Sequence, residues 1–138
     1  MEKIGETKLL QGIYKKVYTT PQVAAEFKNQ LPDWIIIQAI KGDERFKQLE
    51  TELDSGEASA IALSYEIEDV IVVLDDWSAR RTAERLKIHF TGTFGIMVKA
   101  KQTGVITSVK PLLNKVRQTN FHFSEEVFRQ TLNEAGEQ

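Results

Sequence analysis

The chain has no cysteine, and its 138 residues include only two histidines and three prolines. Without cysteine there is neither a disulfide framework nor a thiolate metal site. No apolar run approaches the length of a membrane-spanning helix, and the N-terminal residues do not form a signal peptide. A P-loop, a dinucleotide fingerprint and a Ser/His/Asp set are also missing. We therefore predict a single cytoplasmic domain over residues 1–138, with no membrane partner.

Charge is unevenly distributed along the chain. Residues 1–76 carry 15 Asp/Glu against 8 Lys/Arg, whereas residues 77–123 carry 9 Lys/Arg against Glu84 alone. A basic segment that follows an acidic one suits an anionic substrate held near bound cations. The sequence leaves open the alternative that the basic residues belong to solvated helix faces.

Short β-prone segments alternate with helical patterns along the chain. The segments at 16–19, 34–37, 70–74 and 88–91 are rich in apolar and β-branched residues. This alternation predicts an α/β fold with a mainly parallel sheet. The run at 70–74 is continuously apolar, which is typical of a central strand covered on both faces. In such sheets, ligands bind beyond the carboxyl ends of the strands.

Two helices have apolar stripes at helical spacing, which predicts that these faces are buried. The residues are Ala58, Ile61, Ala62 and Tyr65 in one helix and Val109, Leu112, Leu113 and Val116 in the other. Helix starts are predicted at Thr20 ahead of Pro21, at Ser55 and at Ser124, because short hydroxyl side chains cap helices.

Asp75 and Asp76 directly follow the apolar run at 70–74. Two adjacent like charges at the end of a buried strand are costly unless a cation or hydrogen bonds neutralise them. Hard oxygen ligands suit Mg²⁺ or Mn²⁺, and a carboxylate-held ion can activate water and stabilise a phosphodiester transition state. An Asp at a strand–helix junction also caps helices, and for the pair alone that role is the more common one.

Two further acids are candidate ligands. Glu57 follows Gly56 in the first turn of its helix, where the glycine would allow tight packing with the carboxylate turned inward. Glu26 precedes the apolar Phe27 near the end of another helix. For both acids, a solvated position on a helix surface is the more common explanation.

Three residues are candidates for substrate contacts. Thr93 follows a strand and opens a helix, where a hydroxyl and free N–H groups can hold a phosphate. Trp34 and Trp77 can stack on nucleobases, although an aromatic residue at the edge of the core is the more common role. His89 and His122 have no matched partner that would make a catalytic or metal-binding set.

Several segments together resemble the PIN-domain nucleases, in particular a prokaryotic subfamily of unknown function. The segments that carry the resemblance, in order, are VYTTPQVAAEF (17–27), LPDW (31–34), LDSGEASAIALS (53–64), VIVVLDDWSARRTAERLKI (70–88) and TGTFGIMVKAKQTGVI (91–106). The segment 109–137 resembles the usual ending. Each segment alone is weakly diagnostic, but their joint order over nearly the whole chain is fairly specific.

The resemblance implies a three-layer α/β/α sandwich with acidic residues grouped around one or two Mg²⁺ or Mn²⁺ ions at one end of a parallel sheet. It also implies an endoribonuclease, and such domains often act as toxins neutralised by a small antitoxin protein. The implied site residues are Asp75, Asp76 and Glu57 as catalytic residues and metal ligands, Glu26 as a further ligand, and Thr93 as the hydroxyl near the metal. We expect Arg80 and Arg81 to bind RNA phosphates.

One departure from the family pattern is large. Family members begin with an apolar strand that ends in an Asp followed by Thr or Ser, whereas here Met1 stands where the first helix is expected. Either the natural protein begins further upstream or, as we favour, the chain lacks the central first strand. In the second case we expect the sheet to close the gap by shifting its strands or by borrowing one from a partner subunit. We also expect a homodimer. The alternative function is a catalytically inactive module that binds nucleic acid or protein. A third interpretation is a phosphotransfer receiver, since receivers also place acids at strand ends.

Overall fold

The computed structural model describes residues 8–27, 30–119 and 123–137. Within these ranges the helices are α1 (Lys8–Ile13), α2 (Pro21–Glu26), α3 (Glu44–Leu49), α4 (Ser55–Ser64), α5 (Trp77–Arg85), α6 (Thr93–Gln102), α7 (Lys110–Arg117) and α8 (Glu125–Glu134). The strands are β1 (Val17–Thr19), β2 (Ile35–Ile37), β3 (Val72–Val73) and β4 (Phe90–Thr91). His122 lies outside the described residues.

The strands pair in parallel, as the alternation of strands and helices predicts. β1 pairs with β2, with Val17 opposite Ile35, and β3 pairs with β4, with Val72 opposite Phe90. In the part of the chain that the structure describes, these are two separate two-stranded sheets. The α/β class with parallel strands is therefore confirmed, whereas a single sheet within a three-layer sandwich stays a prediction.

The chain divides into two compact units. We call residues 16–92 the strand unit, and residues 1–15 with 93–138 the helical unit. In the strand unit, the core is built from α4, α5 and β3 around Ile61 and Ala79, which are fully buried. In the helical unit, Ile96 of α6 and Leu113 of α7 are fully buried in the centre of the core. Among the described helices, none is long and apolar enough to cross a membrane.

The predicted helix stripes are largely buried. All four residues of the α7 stripe are buried, including Val109 just before the helix. In α4, Ala58, Ile61 and Ala62 are buried, but Tyr65 is 42% exposed at the end of the helix. The burial predicted for Tyr65 is therefore wrong. The Arg45 guanidinium lies 3.7 Å from the centre of the Tyr65 ring, so this tyrosine makes a cation–π contact.

The prediction that residues 70–74 are covered on both faces is also wrong. Val72 and Leu74 are buried, whereas Ile71 is 42% and Val73 is 40% exposed. This alternation is that of a strand with one packed face, because successive side chains of a strand point to opposite sides. The packed side belongs to the core shared with α4 and α5.

Candidate functional site

The N-terminus of α4 gathers acidic side chains around Glu57. Asp54 is the N-cap, and its Oδ1 accepts a hydrogen bond of 2.9 Å from the Glu57 backbone N–H. Burial, together with the nearby charges of Asp54 and Asp76, raises the pKa of Glu57 to about 7 from its ordinary value of 4.5. A hydrogen bond from the Asp54 backbone N–H to the Glu57 carboxylate opposes this rise without cancelling it. The site thus holds more negative charge than its own hydrogen bonds neutralise.

Glu26 approaches the same helix start from α2. A Cβ atom placed on Gly56 would lie 3.0 Å from both carboxylate oxygens of Glu26. The side chain therefore lies directly against the backbone at Gly56, and the absence of a side chain there makes this approach possible. The structure thus places Glu26 against Gly56, the residue that precedes Glu57 in α4.

A buried chain of hydrogen bonds fixes α2 against α4. The Val23 N–H donates to Thr20 Oγ1 over 3.1 Å, which caps α2 as the sequence predicts. Thr20 Oγ1 and Ser59 Oγ lie 2.6 Å apart, and the Ser59 hydroxyl donates to the Gly56 carbonyl over 2.7 Å. Thr20 and Ser59 are almost fully buried. Because buried hydroxyls are costly to leave unpaired, this chain holds the start of α2 against α4, and Glu26 is the last residue of the same short helix.

Asp76 has the capping role that sequence reasoning weighed against a ligand role. Its Oδ2 accepts a hydrogen bond of 3.2 Å from the Ala79 N–H at the start of α5. Its charge is nevertheless close enough to Glu57 to help raise the pKa of that carboxyl. Asp76 is exposed, so capping α5 does not remove the carboxylate from solvent.

Asp75 and Arg80 converge above Gly92, at the carboxyl ends of β3 and β4. A Cβ atom on Gly92 would lie 2.9 Å from Asp75 Oδ1, 2.9 Å from Arg80 Nη1 and 3.1 Å from the Leu74 carbonyl oxygen. Gly92 is buried, so this space is occupied by the two side chains rather than by solvent. The arginine thus places a positive charge beside one member of the acidic pair.

We expect Gly92→Ala to lower the free energy of unfolding by about 1–3 kcal/mol, as overpacking does. The new methyl group would displace the Asp75 and Arg80 side chains. It would also clash with the Leu74 carbonyl oxygen, which is part of the backbone and cannot adopt another rotamer. Urea unfolding of both proteins measures the difference. Gly42→Ala is the matched control, since nothing lies within 4 Å of a Cβ at Gly42. Equal stability of the two variants would contradict the prediction.

The remaining predicted contact residues take different positions. Arg80 and Arg81 are exposed, and each lies over an aromatic ring: Arg80 is 5.2 Å from the centre of Phe90, and Arg81 is 4.7 Å from that of Trp77. Thr93 is buried at the start of α6 and belongs to the helical unit. The four acids predicted from the sequence, Glu26, Glu57, Asp75 and Asp76, belong to the strand unit.

Sequence reasoning missed Asp54 and placed the cap of α4 on Ser55 instead. The segment DSGE at 54–57 carried the signal, because an Asp followed three residues later by a Glu is an N-terminal capping pattern. The correction matters for the site, since Asp54 is the residue whose charge and hydrogen bonds act on Glu57.

The carboxylates match a divalent cation in two respects. Their hard oxygen atoms suit Mg²⁺ or Mn²⁺, and the pKa of Glu57, raised first by burial and then by the charges of Asp54 and Asp76, would be lowered by a bound cation. In the described residues, however, no group of three or more His, Asp or Glu side chains is arranged to hold a metal ion.

The comparison with known proteins rests on one family. A family model described as a PIN domain matches residues 1–137, which include every candidate site residue. Neither a curated protein nor a solved structure matches the chain at a significant level.

Proposed function

Since the chain belongs to the PIN-domain family, we propose that it is a metal-dependent endoribonuclease whose ions bind at Glu57, Asp76, Asp75 and Glu26. The observation that carries this proposal is the convergence of acids at the start of α4. Glu57 is pushed towards protonation by burial and by Asp54 and Asp76, while Glu26 lies against Gly56. Such an unneutralised group of carboxylates is favourable when a cation is bound and costly when it is not.

The proposed chemistry is hydrolysis of an RNA phosphodiester. A bound Mg²⁺ or Mn²⁺ supplies an activated water and neutralises charge that develops on the phosphate. Glu57 has a pKa of about 7 and is partly protonated at neutral pH, so it would have to lose its carboxyl proton in order to hold the ion. Arg80 and Arg81, which are exposed on α5, bind and orient the RNA phosphates next to the acids.

The test is cleavage of varied RNAs by the purified chain in Mn²⁺, in Mg²⁺ and in EDTA. We expect cleavage only with a divalent ion, and a strong loss of rate in Asp75→Asn because one of the four proposed ligands is removed. Asp43→Asn is the matched control, since Asp43 precedes α3 and makes no side-chain capping bond. Absence of metal-dependent cleavage, or an unchanged rate in Asp75→Asn, would contradict the proposed endoribonuclease function.

One observation favours a second candidate, a PIN-domain module that binds nucleic acid or protein without cleavage. In the described ranges no three acids are arranged to hold an ion. RNA binding that persists in EDTA, with no turnover in any divalent ion, would support this module over the nuclease. The toxin role, the antitoxin partner and the homodimer remain predictions from the resemblance.

A further inference from the structure

Trp77 is the most exposed of the large apolar side chains in the described residues. Its side chain is 68% exposed in the first turn of α5, directly after Asp76. An indole ring has a large apolar face, and covering that face stabilises a protein more than leaving it in water does. The part of the ring that is exposed to solvent is therefore accessible to a ligand.

The surroundings of the ring are charged rather than apolar. Arg81 lies one helical turn after Trp77, with its guanidinium 4.7 Å from the ring centre. Asp76 is adjacent in sequence, and Arg80 is exposed on the same helix. Arg81 over the ring and exposed Arg80 on the same helix supply positive charge, so this setting fits a partner that carries both a flat ring and negative charge.

We propose that Trp77 and Arg81 form a stacking platform for an unpaired nucleobase of single-stranded RNA. The inference rests on the proposed function only in taking RNA as the ligand, and it does not require cleavage. An unpaired base can present a whole π face to the indole, whereas a base inside a duplex is covered by its neighbours. Arg81 adds a cation that attracts the adjoining phosphate.

The experiment measures binding in EDTA, so that no metal-dependent cleavage takes place. The probes are a fluorescently labelled single-stranded oligoribonucleotide, an abasic ribose-phosphate oligomer of equal length and a blunt RNA duplex, each followed by fluorescence anisotropy. We expect Trp77→Ala to weaken binding of the base-bearing single strand about tenfold to hundredfold. Binding of the abasic oligomer and of the duplex is expected to change little.

Two further variants separate stacking from other roles. Trp77→Phe retains an aromatic face and should restore most of the affinity, and Tyr65→Ala is the control at another exposed aromatic side chain that has an arginine over its ring. Far-UV circular dichroism checks the fold of each variant. Unchanged single-strand binding in Trp77→Ala, or an equal loss for the abasic oligomer, would overturn the platform, as would absence of any single-strand binding by the parent chain.

The outcomes also separate this proposal from the nuclease. Selective loss in Trp77→Ala together with no cleavage in any metal would retain the platform and remove the nuclease. Metal-dependent cleavage with unchanged binding in Trp77→Ala would support the nuclease and contradict the stacking platform. If Trp77→Ala instead changes only the oligomeric state in size-exclusion chromatography, the ring is a contact between protein chains and the platform is wrong.

Discussion

Glu57→Gln is expected to stabilise the metal-free chain at pH 8 while removing metal-dependent cleavage. The pKa of Glu57 is about 7 in the folded chain and near 4.5 when the group is unperturbed. As the pH rises from about 4.5 to 7, the unfolded chain loses this proton while the folded chain retains it, so stability falls. Glutamine stays neutral at every pH and does not incur this loss.

The stability difference between Glu57→Gln and the parent should therefore be small below pH 4.5 and largest above pH 7. We expect roughly 1–2 kcal/mol at pH 8, a value reduced by solvent screening because the side chain is only partly buried. Urea unfolding in EDTA across pH 4–8 measures it. Glu84→Gln, at an exposed acid of α5, is the matched control. A pH profile identical to that of the parent would show that the charges around Glu57 do not act as described.

The same substitution should lower the cleavage rate about a hundredfold to a thousandfold, as removal of a single electrostatic group in an active site does. Mn²⁺ should raise the unfolding temperature of the parent at pH 8 and leave that of Glu57→Gln almost unchanged, because ligands that bind only the folded state stabilise it. This thermal readout does not depend on turnover. Equal stabilisation of both proteins by Mn²⁺ would place the ion elsewhere.

Glu137→Gln is expected to destabilise the helical unit by about 1–2 kcal/mol at neutral pH, a value reduced by solvent screening. The Glu137 side chain is only 12% exposed and forms an ion pair of 3.1 Å with Lys101. Its carboxylate also accepts hydrogen bonds from Ser108 Oγ at 2.6 Å and from the Val109 N–H at 2.8 Å. Burial acts to raise the pKa of Glu137, but these three partners outweigh it and lower the pKa to about 2.

The pH dependence of this effect has the opposite sign to that of Glu57. Because the folded-state pKa is depressed, the stabilisation is present above pH 4.5 and is lost as the pH falls towards 2. Urea unfolding of Glu137→Gln and the parent should therefore differ at pH 7 and converge near pH 2. Glu134→Gln, an exposed acid of α8, is the control. A pH-independent difference would assign the loss to packing rather than to the carboxylate charge.

Glu137 also illustrates a feature that sequence patterns do not reveal. Val109 stands at the N-cap position of α7 and makes no side-chain capping bond; the Lys110 N–H finds a local acceptor in Ser108 Oγ at 3.3 Å, but the Val109 N–H does not bond to a nearby side chain. The acceptor comes instead from Glu137, 28 residues away. Capping motifs are read within about four residues of a helix start, and a cap supplied from the far end of the chain lies outside that window.

Local features could be predicted where the residues that indicate a helix start or a buried face lie within a few residues of that feature. Thr20 ahead of Pro21 caps α2, Ser124 caps α8 and Asp76 caps α5, as expected. The stripe from Val109 to Val116 is buried, because its 3.6-residue period leaves one face that must be removed from water. These outcomes depend on side-chain chemistry and chain geometry alone.

The site depends on long-range packing, and here sequence reasoning was incomplete. The list of acids was assembled partly from a family resemblance, but which of them meet was not determined by their spacing. Gly56 and Glu26 are 30 residues apart, and their contact follows from the docking of α2 on α4 through Thr20 and Ser59. Likewise, the edge of the core is the more common position for a tryptophan such as Trp77, and only the folded structure shows that this side chain is exposed.

The sequence by itself determined the α/β class, the parallel strands, the starts of α2 and α8 and the family, because periodicity, capping residues and motif order can be recognised along the chain. Only the tertiary structure decided that Asp54 joins the acids, that Glu57 has a pKa near 7, that Glu137 caps α7 and that Trp77 faces water. The physical reason is that burial and electrostatic interactions depend on distances between segments remote in sequence, and those distances exist only in the folded chain.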